Sequence, residues 1–96
     1  MTDKRKYRTR SSPPTWEEKV HLDNSRAILI PGLGSAIIGI AKLVNGVHVA
    51  TYDHSKCIEI LATSNPEWSG VEVSEWLALQ FCIFNQNAPI LIDTEI

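Results

Sequence analysis

Beyond Lys56 the chain contains no lysine and no arginine, while Glu59, Glu67, Glu72, Glu75, Asp93 and Glu95 all follow it. A segment so devoid of cations cannot grip a phosphate backbone, which excludes the C-terminal half from nucleic-acid binding. Cysteine is almost as scarce, with only Cys57 and Cys82. Two thiols set among apolar residues do not make the disulfide-dense scaffold of a small secreted protein. Both are expected to be buried and inert, as small hydrophobes within helices. Neither a Cys-x-x-Cys nor a His-x-x-x-His spacing occurs, so no metal site is expected, and no cofactor. No apolar run approaches the roughly 18 residues that a membrane-spanning helix needs. The basic N-terminus is not followed by the apolar stretch of a signal peptide, so a cytoplasmic protein is expected, with no membrane partner.

What the chain does contain is an ordinary globular composition, 44% apolar and 21% charged over 96 residues. That length suits one domain with a modest core. It leaves little for a deep cleft with supporting residues behind it, which favours a binding module over an enzyme. The net charge of −2 conceals a polarity. Residues 1–26 hold seven Lys/Arg against four Asp/Glu, and residues 27–96 hold two against seven. The folded part therefore presents a field of one sign.

The first 25 residues read as a disordered basic arm, because Ser11-Ser-Pro-Pro14 forbids helix and no apolar period is present. A short helical turn is expected behind Thr15, which forms a capping box with Glu18. Residues 26–96 read as a single α+β domain. Arg26–Ile30 suits a strand ending at Pro31-Gly32. Asn45-Gly46 between two β-prone runs predicts a hairpin with a type I′ turn. Asp53 suits an N-cap, with Cys57, Ile58 and Leu61 on one face of the helix behind it. A second capping box, Ser69 with Glu72, opens a helix whose stripe runs Val73, Trp76, Leu77, Gln80, Phe81 and Phe84. Its C-terminal half is apolar almost all round, which predicts a central, buried helix. Pro89–Ile92 reads as a closing strand beside the hairpin. The expected architecture is a small, mostly antiparallel sheet in the order β-β-β-α-α-β, with two helices packed on one face.

Four features carry candidate chemistry. The turn Gly32-Leu33-Gly34-Ser35 resembles a phosphate-cradling loop. However, Gly39 comes too late for the dinucleotide fingerprint, and no Lys-Ser/Thr pair completes a P-loop. Glycines that merely permit a tight turn are the preferred explanation. His54 and Cys57 are three residues apart with Asp53 adjacent, the outline of a base and nucleophile. An activated thiolate needs a positive or polar setting, and capping already accounts for Asp53, so no catalytic residue is assigned. Lys4, Arg5, Lys6, Arg8 and Arg10 are the one cluster suited to phosphate contacts, beside Tyr7 for stacking. Against that stands the acidity of the domain behind them. Finally, the cation-free C-terminal half suits electrostatically steered docking on a basic partner surface, through Glu67, Trp68, Glu72 and Glu75.

Four segments, Ile30-Pro-Gly32, Ala36–Ala41, Ala50–Leu61 and Pro89–Ile92, together resemble a family of small, mostly uncharacterised bacteriophage and prophage proteins. Tyr52-Asp53-x-x-Lys56-Cys57-Ile58-Glu59 is the most specific match. Between Asn65 and Asn87 the likeness fades: members usually carry an acidic-aromatic helix and a glycine-rich turn, where this chain has Phe81-Cys-Ile-Phe84 and Asn85-Gln-Asn87. The resemblance implies a bacterial host cytoplasm but carries no established activity or catalytic residue set. What it suggests is a non-enzymatic accessory protein that binds and inhibits a host defence protein, as anti-CRISPR-like inhibitors do. An oligomeric sponge for a signalling nucleotide, with its ligand near Gly32–Gly34 or between subunits, is the alternative. A nucleic-acid accessory protein using the basic arm is the third.

Overall fold

The structure, a computed structural model, describes residues 15–94. It opens with α1, Trp16–Asp23. The Thr15 hydroxyl accepts from the Glu18 amide at 3.2 Å while the Thr15 amide donates to the Glu18 carboxylate at 2.8 Å. Val20 on this helix is fully buried in the core. The folded body therefore includes α1, ahead of the boundary expected at residue 26. The remainder of the expected arm, residues 1–14, lies outside the described residues.

Arg26–Ile30 forms no strand. Three of its backbone donors are satisfied elsewhere: Ala27 N–H by the Asn24 carbonyl at 3.0 Å, Ile28 N–H by the Asn87 carbonyl at 2.9 Å, and Ile30 N–H by the Tyr52 hydroxyl at 2.9 Å. Ala27 and Ile30 are nonetheless buried. The apolar character of this run reflects core burial along an irregular path, not ladder pairing. Asn24 anchors the same path. Its side-chain amide donates to the His48 carbonyl and to Asn87 Oδ1, both at 2.9 Å, which ties the end of α1 to the rest of the fold.

After a 3-10 turn at Gly34–Ala36 come β1, Ile37–Lys42, and β2, His48–Asp53. They pair antiparallel, with a register irregularity between Ile37 and Gly39. The hairpin stands as expected, but its turn is not type I′. Only Gly46 takes positive φ, at +89°, and its N–H bonds the Leu43 carbonyl at 2.8 Å, while Leu43 N–H reaches the Val47 carbonyl at 2.8 Å. Gly46 follows a turn begun at Leu43, the geometry of a longer loop ending in one left-handed residue.

Two helices follow, α2 (His54–Ser64) and α3 (Gly70–Gln80), and then β3, Ile90–Ile92. The helical crossover returns the chain to the end of the sheet from which β2 starts, so β3 pairs with β2 in parallel. The sheet is mixed, in the order β1-β2-β3, and the fold is α+β with element order α-β-β-α-α-β.

Ala50 and Tyr52 alternate onto one face of β2, where they join Val20, Ile37, Cys57, Leu61, Val73 and Leu77 in the core. The Phe81 ring meets Tyr52 edge-on, with centroids 5.5 Å apart. Helix α3 departs from its expected central place. It buries Val73 and Leu77, packs mainly on α2, and leaves Val71 and Leu79 66% and 69% exposed. Phe84, expected on the buried stripe, lies past the end of the helix and is fully exposed.

Replacing Tyr52 by Phe keeps the ring and strips the acceptor from the buried Ile30 amide, at an expected cost of about 1–3 kcal/mol. Urea denaturation of the variant reads this directly. A midpoint equal to that of the parent chain would show that the hydroxyl contributes nothing.

Candidate interaction surface

The connection between α2 and α3 is fastened at both ends. Asn65 closes α2, its backbone N–H bonding the Leu61 carbonyl at 2.9 Å and its side-chain amide the same carbonyl at 3.1 Å. Trp68 N–H then donates to the Asn65 carbonyl at 2.9 Å. Ser69 caps α3: its hydroxyl accepts from the Glu72 amide at 3.2 Å, and its own amide donates to the Glu72 carboxylate at 2.7 Å. The Trp68 and Trp76 rings lie 6.2 Å apart, both half-buried against the edge of the core. Trp68 is thus a half-buried wall of this corner.

Glu67, Glu72 and Glu75 are all exposed on this corner and the first turns of α3. The structure gathers the four residues expected to meet a partner, and it divides their labour as the Ser69–Glu72 capping box read from the sequence implies. The Glu72 carboxylate is engaged in the cap of its own helix. Glu67 and Glu75 supply charge without that structural duty.

Beside them is a feature the sequence reading missed. Val71, Ala78 and Leu79 are exposed along the outside of α3, and Cys82, two residues past its end and expected to be buried, is exposed too. The signal was present in Gly70–Gln80, because a helix whose C-terminal half is apolar almost all round must either sit centrally or show an apolar side to water. Its attachment chiefly to α2 chose the second outcome.

The Gly32–Ser35 turn is arranged against its expected ligand. Gly32 takes φ of +86°, a conformation that glycine supplies readily. Leu33 is buried and cannot touch a ligand. The Glu17 carboxyl carbon lies 2.7 Å from where a Cβ on Gly34 would stand. A cavity of about 450 Å³ is lined by Thr15, Trp16, Glu17, Gly32, Gly34 and Ser35. Among the described residues its one ionisable lining group is therefore negative, while the Lys19 ammonium rests 4.5 Å from the Trp16 ring centroid. A phosphate would meet a carboxylate there.

His54 and Cys57 do not form an activated pair. Cys57 is fully buried, and its thiol is pushed up to about 11, first by burial and then by the negative charge of Asp53. Asp53 itself is held below the usual carboxylate range, chiefly by the hydroxyl of Thr94, and accepts from the Lys56 amide at 3.0 Å as the cap of α2. A thiol protonated at neutral pH is a poor nucleophile. Among the described residues, no group of three His, Cys, Asp or Glu side chains is arranged to hold a metal ion. No described helix is long and apolar enough to cross a membrane. Lys4, Arg5, Lys6, Arg8 and Arg10 lie outside the described residues. Comparison with known proteins finds no matching family model, curated protein or solved structure.

The two thiols should differ sharply toward a thiol reagent. Cys82 is expected to react in the native protein and Cys57 only after denaturation; prompt labelling of both would contradict the burial of Cys57. Stability should also depend on pH from the alkaline side. Because the folded state holds the Cys57 proton more tightly, its contribution is intact below the ordinary thiol value of 9.0 and is lost as pH rises through about 11. Burial raises the Tyr52 hydroxyl as well, extending the loss upward from 10.0. Thermal melts from pH 8 to 11 check this, with Cys57→Ala expected to flatten the lower part of the slope.

Proposed function

We propose that this chain is a non-enzymatic accessory protein of phage type that docks on a host protein and inhibits it, in the manner of a counter-defence inhibitor. The observation that carries this reading is the α2–α3 corner. A rigid, twice-capped connection holds Glu67 and Glu75 beside an exposed apolar helix side. Charge there steers encounter and sets orientation, while apolar area supplies the attraction once water is displaced. Capture of a signalling nucleotide at Gly32–Ser35 is the weaker alternative, because the Glu17 carboxylate stands over that turn.

The test is native mass spectrometry of tagged protein purified gently from bacterial cells. A host protein at fixed stoichiometry is expected, and it should be lost from a Glu67→Lys/Glu75→Lys variant. Glu72 is left intact so that the cap of α3 survives. Capture unchanged by the double reversal would remove the acidic corner from the interface. A retained mass of a few hundred daltons per chain, with no host protein, would favour the nucleotide reading.

A further inference from the structure

Resting on that reading, we propose that the outer side of α3 receives a cationic amphipathic helix of the partner, laid along Val71, Glu75, Ala78 and Leu79. Positions 71, 75, 78 and 79 fall at i, i+4, i+7 and i+8 of α3. They therefore share one side of the helix. Val71 and Leu79 remain 66% and 69% exposed, and Cys82, two residues past the end of the helix, is exposed too. At 1.5 Å per residue the eleven residues of α3 make a strip about 16 Å long. That accommodates three turns of a second helix.

Charge selects among occupants. Glu75 lies within the strip, and Glu72 and Glu67 stand near its N-terminal end, while no lysine or arginine occurs beyond Lys56. A second copy pairing α3 with α3 would bring two sets of these carboxylates together with no cation from the same segment to offset them. Nucleic acid and anionic lipid meet the same repulsion. A helix with apolar residues at i, i+3/i+4 and i+7, flanked by Lys or Arg, covers the apolar positions and places its cations against Glu67 and Glu75. The half-buried Trp68–Trp76 pair stiffens the N-terminal end of the strip, so the docking side is formed before the partner arrives.

The experiment titrates the full chain, ¹⁵N-labelled, with an amphipathic peptide of leucines and lysines whose leucines fall on one helical face. A scrambled peptide of equal composition serves as the control. Saturable amide shifts centred on Val71, Glu75, Ala78 and Leu79 are expected, weakened by salt and much smaller with the scrambled peptide. Leu79→Ser and Val71→Ser alter exposed side chains, so the fold should persist in circular dichroism melts while affinity falls about tenfold or more. Equal shifts from both peptides, or shifts centred elsewhere, would overturn the proposal. So would a concentration-dependent dimer in sedimentation that Leu79→Ser abolishes, because the strip would then belong to a second copy. The two levels separate cleanly. If a captured host protein is lost on reversing Glu67 and Glu75 but not on Leu79→Ser, the function stands and the helix-docking proposal falls. If the peptide binds α3 while no host protein is captured, the docking surface stands and the function falls.

Discussion

The hydroxyl of Tyr52, buried in the middle strand, is the contact on which the rest of the fold turns. It accepts from the amide of Ile30 at 2.9 Å, and so lets an irregular segment pass through the interior without an orphaned donor. Tyr52 also pairs with Ile37 on one side and Leu91 on the other, and its ring meets Phe81. One residue thereby joins both edge strands through its backbone and, through its side chain, the end of α3 and the linker from α1. Burial that raises its proton affinity costs nothing at neutral pH, where the hydroxyl stays protonated.

With the interior organised about β2, α3 is left on the outside. Its inner side supplies Val73 and Leu77 to the core, and its outer side has nothing of its own to cover it among the described residues. Exposed apolar side chains on a small protein carry a solubility cost unless something uses them. Here they lie beside acidic residues that limit self-association by repulsion and remain attractive to a basic partner. Asn65, Ser69 and the Trp68–Trp76 contact fasten this corner at both ends.

The elements legible in the sequence were those written locally. Both capping boxes, the Asp53 cap, the hairpin about Asn45-Gly46 and the closing strand needed only neighbouring residues, and each is present. The acidic corner could be named too, because Glu67, Trp68, Glu72 and Glu75 lie within nine consecutive positions. What could not be read were outcomes set by distant partners. Ala27 and Ile30 have the apolarity of a strand, yet the amide of Ile30 is claimed by a hydroxyl 22 residues away. Glycines at 32 and 34 permit a phosphate turn, and a carboxylate from α1 stands over it.

By itself, then, the amino-acid order determined where helices start, where the chain turns and where charge of one sign collects, since capping, glycine conformations and charge act over a few residues. Only the tertiary structure decided that β3 runs parallel to β2 and that α1 belongs to the core. It alone turned Val71, Leu79 and Cys82 to water. Those choices depend on which apolar surfaces pack best against one another across the chain, and a helix with apolar residues on both its inner and outer sides carries no mark of which side will be buried.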